Sequence, residues 1–300
     1  MPEGDTIFRS ARALNLALQG KRVEFFETAY AQLASVNDQS PVAGRTVERV
    51  ESRGKWLLIH FSGDLILVTH MLMSGSWHIY RRGERWKRSR SHMRAMIATA
   101  DFEAVAFDVP IANFYTSRTL EWNTAIPKLG PDLLGAGFSG NEALHRLAAR
   151  GDDEIANALL NQQVVAGIGN VFKSEICFAC GVNPFAKVSA LPQTKLEDLL
   201  DTARRLMAAN VSEGAADRIL TYTGSRRTTG SDNPTARMWV YGRQGQQCRR
   251  CGTLILMRKQ GPGVRSTYWC PECQPMPLSA STEAIDGWST PIRRRKVGCG

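Results

Sequence analysis

The pairs Cys248-Arg-Arg-Cys251 and Cys270-Pro-Glu-Cys273, eighteen residues apart, constrain this chain more than any other feature. Each CxxC turn points two sulfurs at one centre, and four thiolates at this spacing suit tetrahedral zinc. Four cysteine ligands leave no open position for water, so one structural zinc ion per chain is expected. Seven cysteines in all is an odd count. With two CxxC pairs among them, it argues for a metal site in a reducing compartment rather than a disulfide framework. Cys177 and Cys180, three apart in an apolar helical stretch, read as small core hydrophobes. Between the pairs lies Gly261-Pro-Gly-Val-Arg265-Ser-Thr-Tyr-Trp269, a turn and then a strand entering the second CxxC. It presents Arg265 just past the turn, where a guanidinium can clamp an oxyanion with a bidentate fork.

The rest of the chain is long enough to fold without such a staple. Three hundred residues correspond to two domains at about 150 each. At the N-terminus Ile7, Ala11, Leu14 and Leu18 recur at helical spacing, with Asp5 or Thr6 as cap and Gly20 as exit. Short β-like runs follow at 22–26, 46–51, 56–61, 65–70, 76–80, 93–99 and 104–108, punctuated by Gly44, Gly54, Gly63 and Gly83. Regular short strands with turn signals predict a β-sandwich or barrel behind one helix. Composition shifts to Gly, Pro and Asp over 129–140, which marks a domain boundary. Beyond it Leu196, Leu199, Leu200, Ala203, Leu206, Met207 and Asn210 trace one helical face, with Thr194 and Glu197 as a capping box. The Thr-, Gly- and Arg-rich stretch 218–235 reads as a mobile loop, the strand signal returns from Met238, and 274–300, with its basic run Arg293 to Lys296, reads as a disordered tail.

Charge and hydropathy narrow the partner. Thirty-eight basic against twenty-eight acidic residues leave a net charge of +10, which favours a polyanion. No apolar run reaches the roughly 18 residues of a membrane span, so membrane association is disfavoured and a cytoplasmic location is expected.

Two further constellations carry chemistry. In Asn161-Gln-Gln-Val-Val-Ala-Gly167-Ile-Gly169-Asn170-Val-Phe-Lys-Ser-Glu175, a helix over 153–163 meets a Gly-rich turn and a second helix starts at Asn170. The glycines allow close backbone approach, and the new helix offers unpaired N–H groups to an anion. A dinucleotide fingerprint is rejected, because a helix precedes the turn and Phe172 holds the third glycine position. The N-terminus is Met1-Pro2-Glu3-Gly4-Asp5. Once the initiator methionine is removed, Pro2 becomes a secondary amine able to attack an electrophilic sugar carbon. The resulting iminium is an electron sink that acidifies the neighbouring C–H, so elimination can follow, and Glu3 can shuttle protons.

Pro2-Glu3-Gly4, Gly54-Lys55, His70-Met-Leu-Met73-Ser-Gly75, Leu129-Gly-Pro-Asp132, the stretch 163–170 and the CxxC pairs with Arg265 occur in one order. That order resembles the formamidopyrimidine-DNA glycosylase and endonuclease VIII family, and the start Pro-Glu-Gly is closer to the endonuclease VIII branch. The resemblance implies an α+β chain: an N-terminal helix and β-sandwich catalytic domain over 1–134, a helical helix–two-turn–helix domain over 135–235, and a zinc-finger hairpin over 236–273. It implies a bifunctional DNA glycosylase and AP lyase, acting as a monomer on damaged double-stranded DNA without a small-molecule cofactor. Pro2 would be the nucleophile at C1′, Glu3 the proton donor and acceptor, and Lys55 the proton donor associated with β-elimination. Arg265 would grip phosphate and donate a proton in δ-elimination. His70, Lys128 and Asn170 would hold phosphate, and Met73 would fill the gap left by the flipped nucleotide.

Two departures bear on the lesion. Thr6 stands where many relatives carry a second acid, and Asp108-Val-Pro-Ile-Ala-Asn113 lacks the Arg-Arg-Phe of the glycosylase branch. Oxidised pyrimidines are therefore favoured over 8-oxopurines and formamidopyrimidines. A catalytically silent zinc-dependent DNA binder is the alternative from a different class. The basic run Arg81, Arg82, Arg85, Lys87, Arg88 and Arg90, with Trp86 among them, has no counterpart in the resemblance.

Overall fold

The computed structural model describes residues 2–123, 126–212, 228–229 and 237–277. It opens with helix α1 (Gly4–Leu18), followed by β1 (Phe25–Thr28), α2 (Ala31–Gln39), β2 (Val47–Arg53), β3 (Trp56–Phe61), β4 (Leu65–His70), β5 (Ser76–Arg81), β6 (Met93–Ala98), β7 (Phe102–Phe107) and β8 (Ile111–Tyr115). The strands form two antiparallel four-stranded sheets, ordered β2-β3-β4-β8 and β1-β6-β7-β5. Their inner faces share one core, in which Leu57, Ile59, Phe61 and Leu67 face Trp77, Ile79, Ile97 and Ala106. Ile7, Ala11, Leu14 and Leu18 of α1 close its edge.

Both outer faces are covered as well. Leu58, Ile66 and Val68 lie under Leu120 of α3 (Ser117–Asn123) and Ile126. Tyr80, Met96, Val105 and Phe107 lie under Trp86. This double burial explains why β3 and β4 read as continuous apolar runs instead of alternating.

The second half packs α4 (Gly140–Ala148), α5 (Ile155–Leu160), α6 (Asn170–Ala179) and α7 (Gln193–Ser212) around a separate core that includes Leu147, Leu159, Phe172, Leu199 and Met207. The hairpin β9 (Leu256–Gln260) and β10 (Arg265–Trp269) follows, paired in antiparallel register from Leu256↔Trp269 to Gln260↔Arg265.

Several elements differ from what the sequence predicts. The strand expected at 22–26 begins at Phe25, and Arg22 makes only an isolated bridge to Thr46. Neither Asp5 nor Thr6 caps α1: Glu3 is the N-cap residue, and its side chain is directed elsewhere. The capping box at Thr194 and Glu197 does not form. The carbonyl of Pro192 receives the first helical N–H groups, and Gln193 donates to Glu197 over 2.8 Å. The helix expected over 153–163 spans only Ile155–Leu160, because the Asn161 side chain accepts the Gln163 N–H and turns the chain. Strands in the cysteine module begin at Leu256, not Met238. Gln274, assigned by composition to the tail, is fully buried: its side chain accepts from the Cys270 N–H and donates to the Val182 carbonyl. Most of the loop expected over 218–235, and the tail beyond residue 277, lie outside the described residues.

Candidate active site

The chain's N-terminus is wedged between its two halves. The Gly4 N–H donates to the Gly167 carbonyl over 2.9 Å, and a Cβ at Gly4 would come within 2.7 Å of Gly167 Cα. Glu3, almost wholly buried, carries its carboxylate to the start of α6. It accepts the Val171 N–H at 2.8 Å and the Phe172 N–H at 3.3 Å, two of the N–H groups a helix start leaves unpaired. Gly169 makes this approach possible, since a Cβ there would lie 2.2 Å from Glu3 Cδ. Gly169→Ala should therefore expel the carboxylate from α6 while leaving both cores intact. A displacement of about 1 Å costs roughly 10²-fold in rate, so activity should fall about that far, and the α6 N–H groups left unpaired should lower the melting temperature by several degrees. Wild-type turnover by the variant would mean that the carboxylate's seat is not required.

Lys55 follows Gly54 in the β2–β3 turn. Gly54 takes a left-handed conformation (φ +59°), and its N–H donates to Asp132 Oδ2 at 2.7 Å. Asp132 also accepts the Leu134 N–H. Burial raises its carboxyl pKa, and the two N–H donors oppose that rise. The Leu129-Gly-Pro-Asp132 stretch thus ties the lysine-bearing turn to the helical half.

His70 ends β4, with Trp56 edge-on at 4.7 Å. Its Nδ1 accepts the Leu72 N–H at 3.1 Å, which assigns the proton of the neutral ring to Nε2 as a donor. Burial, assisted by the Lys55 charge, pushes its pKa down to about 4. The folded value lies below the ordinary 6.5, so protonation favours the unfolded chain. Stability held above pH 6.5 should decline as pH falls from there toward 4, and His70 should stay neutral throughout pH 5.5–8. An NMR titration of His70 with a midpoint near 6.5 would overturn this.

The turn after His70 holds Leu72 at φ +44° and leaves Met73 61% exposed. A left-handed, non-glycine residue that presents a large apolar side chain to solvent is a strained arrangement.

Pro2, Glu3, Lys55, His70, Met73, Asn170 and Arg265 all line one cleft of about 200 Å³ between the two halves. Lys128 does not join them; it is exposed in a short helical turn at Ile126–Lys128. A larger groove of about 460 Å³, between α4 and the start of α7, contains none of these residues.

The cysteine module is fixed to the cleft through α6. Asn170 donates to the Ser266 carbonyl at 3.0 Å, while its Oδ1 is buried without a partner. Lys173, with no exposed surface, donates to Thr267 Oγ1 at 2.5 Å, and burial pushes its pKa down to about 8. Thr267 and Arg265 are two apart on β10 and so share a face. The Glu175 carboxylate accepts the N–H groups of Trp239, Val240 and Tyr241 at 2.8–2.9 Å, together with the Thr228 hydroxyl. Cys248, Cys251, Cys270 and Cys273 bring all four sulfurs within 4.8 Å of one another. The Cys248–Cys273 and Cys251–Cys270 separations are 3.9 and 3.4 Å. Tetrahedral Zn–S bonds of about 2.3 Å place sulfurs roughly 3.8 Å apart, so the residues present fit zinc.

Lys173, Glu175 and Asp132 are the working residues that sequence reasoning passed over. All three lie in stretches already singled out, but their partners Thr267, Val240 and Gly54 are 65 to 94 positions away. For Lys173 and Glu175 the signal available was an acid and a lysine inside a strongly apolar helix, where an ionic group has to be paired.

Residues 1–110 match the formamidopyrimidine-DNA glycosylase N-terminal domain, and residues 129–220 match the H2TH domain of the same enzymes. A probable endonuclease 8 2 of Streptomyces coelicolor is 40% identical, with 92% of this chain and 95% of the relative covered. The chain belongs to the formamidopyrimidine-DNA glycosylase and endonuclease VIII family. Another member of this DNA glycosylase/AP lyase family, the DNA-(apurinic or apyrimidinic site) lyase Nei2 of Mycolicibacterium smegmatis, is 38% identical over 91% of this chain and 99% of its own length. The family fold is shared with the Lactococcus lactis formamidopyrimidine-DNA glycosylase solved with abasic-site DNA. That structure superposes with a TM-score of 0.76 at 22% identity, covering 91% of this chain and 99% of the other. Among the described residues, no helix is long and apolar enough to cross a membrane.

Proposed function

We propose that this family member is a bifunctional DNA glycosylase and AP lyase of base-excision repair, that it acts on damaged double-stranded DNA, and that it favours oxidised pyrimidines. The observation that carries this reading is the meeting of Pro2, Glu3, Lys55 and Arg265 in one cleft, from three separate parts of the chain. These groups have a common purpose only if chemistry occurs at a sugar carbon. The pyrimidine preference is supported by the Pro-Glu-Gly start, which resembles the endonuclease VIII branch, and by a 108–113 segment that lacks arginine.

With Met1 removed, the Pro2 nitrogen attacks C1′ of the extruded nucleotide. The C1′–N glycosidic bond breaks and the base leaves with a proton; the C1′–O4′ bond then opens, O4′ takes a proton, and the Pro2 nitrogen becomes part of a C1′ iminium. The C1′ iminium then acidifies C2′–H, and loss of that proton expels the 3′ phosphate. Loss of a further proton through the conjugated system expels the 5′ phosphate. Glu3 exchanges protons at the deoxyribose and Lys55 supplies one for β-elimination. Arg265 holds phosphate and supplies a proton for δ-elimination. His70 donates Nε2–H to phosphate without adding charge, Asn170 and Lys128 contribute further phosphate contacts, and Met73 fills the vacated stack. That filling offsets part of the unstacking cost of a few kcal/mol. One zinc ion held by Cys248, Cys251, Cys270 and Cys273 locks the hairpin that bears Arg265.

Borohydride trapping tests the reading. Duplexes carrying an abasic site or an oxidised pyrimidine should each yield a reduced adduct at the N-terminal residue. Trapping on the abasic site alone would reduce the function to a lyase. Absence of any adduct, from protein shown to lack Met1 and to hold metal, would leave a DNA-binding protein.

A further inference from the structure

The connection between β5 and β6, residues 82–92, carries most of the basic run that the catalytic reading leaves unused. It does not project as a solvated hairpin but folds back along the outer face of β5. Trp86 stacks on Tyr80 at 6.4 Å, meets Phe107 edge-on, and donates Nε1–H to Glu103. The Lys87 N–H donates to the Tyr80 hydroxyl, and Arg90 lies over the Trp86 ring while pairing with Glu27. Arg88 reaches the end of β5 nearest the cleft, pairing with Asp108 at 2.6 Å with its second nitrogen 3.5 Å from Ser76 Oγ.

That end of β5 adjoins the Met73 turn. Ser76 follows Gly75 directly, and a Cβ on Gly75 would lie 3.0 Å from Val109 Cα in the β7–β8 turn. The Met73 turn therefore separates two surfaces, with the catalytic cleft on one side and the β7–β8 turn and loop 82–92 on the other. Arg88 and Arg90 hold the loop in place. Arg85 and Lys87 are exposed, and neither has an acidic partner among the described residues. Cations held in place before binding lose little freedom when they meet a polyanion.

We propose that loop 82–92 is a second DNA-contact surface, in which Arg85 and Lys87 bind phosphates of the strand opposite the lesion. The inference rests on the DNA-directed reading above. When Met73 enters the stack from the cleft side, the undamaged strand passes over the far side of that turn, toward the loop that Arg88 anchors at the end of β5 and that carries these exposed cations. They would supply the contacts that an arginine-free 108–113 segment does not.

The test compares wild type with Arg85→Ala/Lys87→Ala on one abasic-site oligonucleotide, single-stranded and annealed, with binding and cleavage read separately across a salt series. Lys21→Ala/Lys195→Ala removes equal charge from surface ion pairs with Asp101 and Asp198 and serves as the control. Two lost phosphate contacts should lower the duplex salt slope by about 1.8 and weaken duplex binding severalfold. Single-strand binding and cleavage should stay within about twofold of wild type, and the control should match wild type on both DNAs. Unchanged duplex affinity and slope, equal losses on both DNAs, or the same loss in the control would overturn the proposal. Wild-type protein that binds duplex but fails to cleave would overturn the enzymatic reading alone, because the loop's share of binding is still measured.

Discussion

Glu3→Gln should separate the two activities of the cleft. Release of an oxidised base is expected to fall by about 10²–10⁴-fold, the usual worth of a positioned proton donor or acceptor. Cleavage at a preformed abasic site should fall less than about tenfold, because no base has to leave and the Pro2 amine meets an aldehyde carbon directly. Single-turnover base release and abasic-site cleavage, measured on matched duplexes, check this. The structure adds a second effect. Both Glu3 oxygens accept backbone N–H groups at the start of α6, whereas a glutamine offers one oxygen and sets its NH₂ against the other donor. One unsatisfied buried N–H costs about 1–3 kcal/mol, so the melting temperature should drop by a few degrees as well. Equal losses on both substrates would make Glu3 a positioning residue for α6. Unchanged base release would remove it from the chemistry.

The contrast between Glu3 and Gly169 also shows what a sequence can reveal. That Gly169 is glycine in a turn before a helix was legible, but the reason is a carboxylate 166 positions earlier in the chain. The strands with both faces buried, β3 and β4, were legible from their apolar density. Helix α2 was not, because only Leu33 of its nine residues is buried and no periodic stripe exists to be read. Strand β8 was hidden behind Pro110, and its pairing with β4 from Ile66↔Tyr115 to His70↔Ile111 is a long-range fact. Of the residues that line the cleft or the cysteine cluster, Pro2, Glu3, Arg265 and the four cysteines stood out by residue type and spacing, and Lys55 and His70 through the family resemblance. Lys173 and Glu175 escaped because an ionic side chain reads as solvated by default. Their burial is set by contacts with Thr267 and with residues 239–241, which no local pattern encodes.

Those same contacts set up a competition that metal removal resolves. Arg265 opens β10, half of a two-stranded hairpin with five paired positions, and an isolated hairpin of this size is marginal in water. The supports of β10 are the cysteine cluster at its base and hydrogen bonds with α6 through Asn170, Lys173 and Ser174, while Gln260 and Trp269 tie the hairpin to Glu154, Pro184 and Phe185. Three hydrogen bonds contribute about 1 kcal/mol each, or somewhat more for the charged donor. A structural zinc site contributes about 10–16 kcal/mol in small finger peptides. On that comparison the metal dominates. Chelation, or Cys270→Ser, should release β10, weaken abasic-site DNA binding by at least about 10²-fold, and abolish strand cleavage. The sandwich and the helical core have separate clusters of apolar residues, so most of the circular dichroism signal should persist. Arg265→Ala supplies the matching control: it should reproduce the loss of cleavage with metal still bound and with the hairpin amides still protected from hydrogen exchange. If chelated protein keeps its cleavage rate while metal analysis shows the site stripped, then the protein contacts of the hairpin, those with α6 foremost, aim Arg265 without the metal. In that case Lys173→Met would be expected to abolish in the stripped protein what zinc removal did not.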